Sequence, residues 1–302
     1  MVVVDQPAQS GMVVALQANY LEVELDQVSE LIPSRLLCTR RTRLSHRGEA
    51  VFVGDRVRVE AIDVSHARAV VADVEPRFSF LTRPPVANAT TVVVALAVDQ
   101  PAFDPDQASR FLLTAERTSL VVQLVLTKTD LLEPEALETL RLHAWGYPPL
   151  LVSTSNGLGL SNLKERLAGS PLSVLCGPSG VGKSSLLNAL IPDLELRIGA
   201  VSGRLQRGRH TTRHVELHRL GAEARVADTP GFNRPELPDD PRNLEVLFPE
   251  LRAQLEHHPC RFRDCLHRDE PGCGVTRDWE RYPIYRRAVE ELLGLSRPSR
   301  GG

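Results

Sequence analysis

The 302 residues are 42% hydrophobic and 25% charged, with 36 Lys and Arg against 38 Asp and Glu for a formal net charge of −2. That length allows two domains or three small ones, and the near balance excludes a global affinity for polyanions, so local clusters must carry any such claim. Five cysteines are too few and too unevenly spaced for a disulfide framework, and no apolar run approaches the roughly 20 residues that span a bilayer. The N-terminal residues lack a secretory or transit pattern, so the expectation is a cytoplasmic, reducing setting with no membrane partner.

From Gly11 to about Glu75 the pattern is β-like, alternating in Leu21-Glu22-Val23-Glu24-Leu25 and in Val57-Arg58-Val59-Glu60-Ala61, with a turn signal at Gly54-Asp55. Short strands of this kind predict a small barrel, best matched by an oligonucleotide-binding (OB) fold. Arg35, Arg40, Arg41, Arg43 and Arg47 with His46, read as a barrel loop without an acid, predict RNA contact; a solvated charged loop is the alternative. Pro84-Pro85 reads as a linker.

Beyond it, Thr91 to Val98 and Leu120 to Leu126 read as buried strands, and Asp106 to Arg117 and Pro134 to Ala144 as helices. Apolar strands separated by helices predict a parallel sheet covered on both faces, an α/β domain. Thr127-Lys128-Thr129-Asp130 follows the second strand; a carboxylate there accepts hydrogen bonds from guanine N1 and N2, which adenine does not offer, with the Lys128 stem against the base. A short strand, Leu150 to Val152, ends in Ser153, Thr154 and Ser155, whose backbone N–H groups can meet guanine O6.

Strand Leu172 to Cys176 leads into Gly177-Pro178-Ser179-Gly180-Val181-Gly182-Lys183-Ser184 and a helix from Ser185 to Leu190, which is the strand, glycine loop and helix of a nucleoside triphosphate site. Glycines let successive N–H groups face phosphate oxygens, and the helix start offers its positive end to the same anion. Lys183 is placed to reach the β and γ phosphates, and the Ser184 hydroxyl to ligate Mg2+.

The stretch Arg197 to Arg213 holds five arginines, three glycines and no acid, and reads as mobile; in it Thr211 and Thr212 are candidates to close on Mg2+ and the γ phosphate, an order–disorder switch. Arg225 to Ala227 is a strand ending in Asp228-Thr229-Pro230-Gly231, with Asp228 a candidate for Mg2+ and the Gly231 N–H for the γ phosphate.

A helix is predicted over Asn243 to Leu255, and an amphipathic one over Arg281 to Gly294. Between them Cys260, Cys265, His267 and Cys273 match a closed tetrahedral structural Zn2+ site, with His257 and His258 as alternative ligands. Arg261, Arg263, Arg268, Arg281, Arg286 and Arg287 make this region a second candidate RNA surface, while Cys38 and Cys176 read as core.

In most guanine-nucleotide switches the phosphate loop comes first and the base-reading turn last. Here residues 127 to 130 and 153 to 155 precede 177 to 184, so the domain reads as circularly permuted, and the segment after Asp228 runs straight into the cysteine region, where nucleotide state can be passed on. With this order, Gly208-Arg209-His210-Thr211-Thr212, Asp228-Thr229-Pro230-Gly231-Phe232 and the cysteine spacing, the chain resembles the ribosome small subunit-dependent GTPase family (RsgA/YjeQ) from Gly11 to Gly294. The resemblance implies a multidomain protein: an OB-fold β-barrel at 1–83, a circularly permuted α/β P-loop GTPase domain at 84–236 and a small α-helical zinc domain at 237–302. It also implies GTP/GDP and Mg2+ as ligands, hydrolysis stimulated by the small ribosomal subunit (30S), and binding to that subunit and its 16S rRNA, in a protein expected to be a monomer.

Two departures stand out. The family's Asn is Thr127 here, which predicts weaker binding with guanine selectivity kept by Asp130, and Phe232 stands where many switch GTPases carry a water-orienting Gln. Slow intrinsic turnover follows, with His210 or the ribosome supplying the missing group. The alternatives are an RNA-binding assembly scaffold with a structural nucleotide, and an ATP-driven enzyme.

Overall fold

The computed structural model describes residues 8–17, 20–27, 30–41, 50–137, 145–191, 194, 215–228 and 236–295. In chain order come strands β1 (Gln9–Leu16), β2 (Leu21–Leu25), β3 (Arg35–Arg40), β4 (Arg56–Asp63) and β5 (Arg68–Val74), then a hairpin of β6 (Phe80–Thr82) and β7 (Pro85–Ala87). There follow β8 (Thr91–Ala97), α1 (Pro105–Glu116), β9 (Val121–Thr127), β10 (Leu150–Leu151), α2 (Leu160–Ala168), β11 (Leu172–Cys176), α3 (Lys183–Leu190), β12 (Glu216–Arg219), β13 (Arg225–Asp228), α4 (Pro249–His257) and α5 (Tyr282–Leu292). They fall into two compact units, one within 1–92, 161–176 and 183–233, the other within 93–160, 177–182 and 234–302. Among the described residues no helix is long and apolar enough to cross a membrane.

In the first unit β1, β2, β3, β5 and β4 lie side by side, and β4 returns to pair with β1 through Gly11 and Val57, closing an OB-like barrel. Closure leaves no open edge, and the alternating residues Val13, Val23, Leu36, Val57, Val59 and Val71 fill the interior. Alternation would send Glu24 outward to solvent. Instead it is buried, because β1 also pairs with β12 at Ala15 and Glu216, and Arg219 and Arg225 donate to Glu24 from β12 and β13. Burial works against ionisation of Glu24, but these hydrogen bonds outweigh it and hold the carboxyl below its usual range.

Two expectations change here. The arginine cluster is not simply a loop: Arg35 to Arg40 form β3, Arg35 pairs with Glu22 at 3.0 Å and Glu24 at 3.3 Å, and Arg41 pairs with Glu60 at 3.0 Å. Acids from neighbouring strands, invisible in the local sequence, thus pair with two of its arginines; Arg43, His46 and Arg47 lie outside the described residues. Nor is Pro84-Pro85 a linker. Pro84 lies in the β6–β7 turn, Thr82 pairs with Pro85, and the Ala87 N–H donates to the Val53 carbonyl at 2.8 Å, so the segment is packed.

The same unit contains β11 parallel to β13, pairing Leu175 with Asp228, and β12 antiparallel to β13. In the second unit β10 runs parallel to β9, with Leu150 opposite Val125, and β9 neighbours a fully buried β8. Helix α1 starts where Asp104 accepts from the Asp106 and Gln107 N–H groups, with Pro105 in the first turn. The predicted helix 134–144 is helical at 134–137, and its remainder lies outside the described residues. The predicted helix 243–255 is split into a 3-10 turn Pro241–Leu247 and α4, because Phe248 precedes Pro249 and is driven to an extended conformation (φ −106°, ψ 109°). Phe248, Leu251, Tyr282, Tyr285 and Val289 then form the core under α4 and α5 with Leu113 of α1.

Candidate nucleotide site and metal centre

The glycine loop needs its glycines. Gly177 has φ +143° and an added Cβ would lie 2.1 Å from the Ala95 carbonyl of β8, while Gly180 and Gly182 sit at +83° and +92°. Such conformations leave Ser179 and Gly180 exposed at the tip with Pro178 buried beneath them.

In the same unit β9 brings Thr127 and Lys128 against this loop. The buried Thr127 hydroxyl lies 2.6 Å from the Val181 carbonyl and 3.2 Å from that of Leu96, and Lys128, in a left-handed turn (φ 57°), donates from Nζ to the Gly180 carbonyl at 2.9 Å and to the Gln100 carbonyl. The turn expected to read the base is therefore tied directly to the glycine loop, across 54 positions of sequence. Thr127 keeps the loop-steadying part of the role expected of Asn. Replacing it isosterically, Thr127→Val, is expected to weaken guanine-nucleotide binding about 3- to 10-fold with selectivity over adenine retained, read by fluorescent-nucleotide titration.

One turn on, Asp130 accepts from the Ser153 hydroxyl at 2.6 Å, a bond that holds its carboxyl below the ordinary range and ionised. Ser153 is fully buried, and its Oγ also accepts from the Ser155 and Asn156 N–H groups at 3.2 and 3.4 Å, which shapes the turn and leaves Thr154 and Ser155 exposed. Thr129 donates its N–H to the Val152 carbonyl at 3.3 Å and keeps its hydroxyl buried and unpartnered.

In the first unit Lys183 opens α3 with Ser184 and Ser185 half-buried behind it. Burial holds the Lys183 ammonium below its usual range, partly offset by Cys176 and Asp228. Asp228 ends β13, in register with the residue before Cys176. A bound phosphate would compensate the solvation that burial has removed from Lys183, so the ammonium, the Ser184 hydroxyl and the Asp228 carboxylate fit a nucleoside triphosphate with Mg2+. His210, Thr211, Thr212, Gly231 and Phe232 lie outside the described residues.

The ligand atoms of Cys260, Cys265, His267 and Cys273 all lie within 4.8 Å of one another. Cys260 and Cys273 Sγ are 3.9 Å apart, and His267 Nδ1 lies 3.4 and 3.6 Å from them. Tetrahedral zinc with sulfur ligands at about 2.3 Å requires edges of about 3.8 Å, so the cluster fits the ion. Burial pushes the Cys265 thiol up to about 12, so crowding protonated thiols here gains nothing without a cation to displace the protons. Supporting groups escaped the sequence reading. Glu245 Oε2 is 3.4 Å from His267 Nε2, and Glu270 accepts from the Leu266, Arg268 and Asp269 N–H groups; neither stands at a spacing that signals it. His257 and His258 are exposed and not part of the cluster.

Arg281 does not belong to an RNA surface. It is fully buried, paired with Glu250 from Nε at 2.6 Å, and its guanidinium lies 4.8 Å from the Phe248 ring and 4.9 Å from that of Trp145. Arg286 and Arg287 are exposed but paired with Glu290 and Asp106. Arg281→Lys, which loses the planar fork, is expected to destabilise the protein by about 1–3 kcal/mol in urea unfolding.

Comparison with known proteins agrees with this geometry. The RsgA GTPase family model matches residues 74–238, more than half of the chain. A Small ribosomal subunit biogenesis GTPase RsgA of Synechococcus sp. (strain CC9311) is 92% identical over 304 residues, covering 100% of both chains. Among solved structures, YjeQ from Thermotoga maritima has a TM-score of 0.79 at 33% identity over 95% of this chain and 99% of its own. YloQ, a circularly permuted GTPase, has a TM-score of 0.75 at 27% identity over 97% of this chain and 98% of its own. With the glycine loop, the turn that follows β9 and the cluster of three cysteines and a histidine in place, the chain belongs to the RsgA GTPase family.

Proposed function

We propose that this GTPase acts in maturation of the small ribosomal subunit, hydrolysing GTP to GDP and phosphate and coupling nucleotide state to its hold on 16S rRNA. The observation that supports the reading is the tie of Thr127 and Lys128 to the Val181 and Gly180 carbonyls of the glycine loop, as a guanine reader beside an anion loop would require. The relatives named for small-subunit biogenesis supply the partner.

In this reading Asp130 selects guanine and Lys128 lies against the base, while Thr154 offers its N–H to O6 and Ser153 and Ser155 shape the turn, their N–H groups donating to the Leu158 carbonyl at 2.9 Å and to Ser153 Oγ at 3.2 Å. The amides of Gly177 to Ser184 and the Lys183 ammonium hold the phosphates. Ser184, Thr212 and Asp228 would hold Mg2+, which when bound neutralises charge on the β and γ phosphoryl oxygens. His210, Thr211 and Gly231 complete the switch around the γ phosphate. Cys260, Cys265, His267 and Cys273 hold one structural Zn2+. The division into 1–83, 84–236 and 237–302, action as a monomer and a cytoplasmic setting are parts of the same proposal.

Phosphate release is measured with and without purified small subunits. Stimulation of at least tenfold is expected, a threshold well below the roughly 10³- to 10⁵-fold that a supplied catalytic group gives such enzymes. An unchanged rate would favour the scaffold reading instead.

A further inference from the structure

Residues 76 to 98 contain Arg77 and Arg83 and, after Glu75, no acid, and they include two aromatic side chains that the fold leaves outside. Phe78 is 70% and Phe80 40% exposed, with Leu81 turned inward beside them. Exposed phenylalanines are often incidental, but here everything beneath them is fixed. The Phe78 N–H donates to Asn88 Oδ1 at 3.1 Å, and the Asn88 amide donates to the Gly54 carbonyl at 3.0 Å. The Ser79 hydroxyl donates to the Ala89 carbonyl at 2.7 Å. Arg77 is held by Asp55, 0% exposed, through Nε at 2.6 Å and Nη2 at 2.8 Å, and reaches the Ala50 carbonyl at 2.6 Å. That grip lays its guanidinium 4.9 Å from the Phe52 ring and 5.3 Å from the Phe80 ring, with the two rings 4.7 Å apart.

A planar cation stacked on two rings, with the exposed Phe78 two positions before Phe80 on an immobilised backbone, is a stacking surface whose ordering cost has been met in folding. The geometry points to Phe78, Phe80 and Arg77 as a platform on which unpaired bases of single-stranded RNA stack. Aromatic rings accept any base through its π face, and the guanidinium, held flat by Asp55, adds a planar polar surface from which a purely apolar protein partner would gain nothing. The inference deepens the reading above and rests on it, since biogenesis of a ribosomal subunit makes RNA the available partner.

The test uses the full-length protein and a fluorescein-labelled single-stranded RNA of about ten nucleotides, a length one small barrel can occupy, with a duplex of the same sequence as control. F78A/F80A is expected to weaken single-strand binding about tenfold or more, and F78Y/F80Y to retain it. The salt dependence should stay the same, because no phosphate contact is removed, and duplex binding and basal GTP turnover should not change. Wild-type-like binding by F78A/F80A would overturn the assignment, as would wild-type protein that binds the single strand no better than the duplex. Loss of self-association in sedimentation with RNA binding intact would also overturn it, giving the face to a second copy of the chain. Subunit-stimulated turnover of the wild type is read separately: its absence sinks the functional proposal and leaves the platform standing if the RNA titration succeeds.

Discussion

Lys183→Ala is expected to lower GTP turnover by about three orders of magnitude while leaving the fold intact. Phosphoryl transfer requires little covalent help from the protein, so positioned positive charge is the main catalytic resource, and single charged groups at such sites contribute about 10³ or more. Lys183 opens α3 directly after the glycine loop, and burial already disfavours its ammonium, with Asp228 and Cys176 working the other way. Its charge is thus poorly solvated before nucleotide arrives and should bear strongly on phosphate oxygens. Single-turnover phosphate release, with circular dichroism as the fold control, checks this; turnover within tenfold of wild type would remove Lys183 from the phosphate contacts.

Removing the zinc proposed for the cysteine and histidine cluster should have the largest effect on stability. Cys265→Ser, or a strong chelator, is expected to abolish cooperative unfolding of the region holding α4 and α5, since binding of structural zinc supplies about 10–16 kcal/mol in isolated zinc modules. The ligand loop is the support for the helices: Tyr285 donates to the Leu266 carbonyl at 3.0 Å, and Tyr282 to the His267 carbonyl at 3.1 Å. Both rings pack in the core with Phe248 and Trp279, so a displaced His267 loosens that core as well. One zinc per chain by metal analysis, and rapid proteolysis of this region after chelation, are the expected results. A metal-free protein with the same proteolytic resistance would contradict them.

What could be read in the sequence follows from the range of the interactions. Strand Leu172–Cys176 falls where periodicity puts it, because strand, glycine turn and helix start are determined by neighbours in the chain. The cysteine and histidine cluster was equally legible, since its ligands span few residues and their chemistry leaves little else for them to do. Barrel closure followed from alternation and turn residues, although no single strand announces that β4 meets β1.

What escaped depends on partners far away in sequence. Glu24 looked like an outward-facing acid, but Arg219 and Arg225 turn its position into an interior one. Arg281 looked like part of a basic surface until Glu250 and the rings of Trp145 and Phe248 enclosed it. Thr127 looked like a shortened Asn, and nothing local shows that its hydroxyl meets the Val181 carbonyl, 54 positions on, at 2.6 Å. Pro84-Pro85 carries the composition of a linker but serves a hairpin, which local sequence does not distinguish.

The most direct test of the account is a structure of the protein with GDP bound. It should place the Asp130 carboxylate within hydrogen-bond distance of guanine N1 and N2 and the β phosphate against the Gly177 to Gly182 amides. A purine lying away from Asp130, with the diphosphate still in the glycine loop, would contradict it.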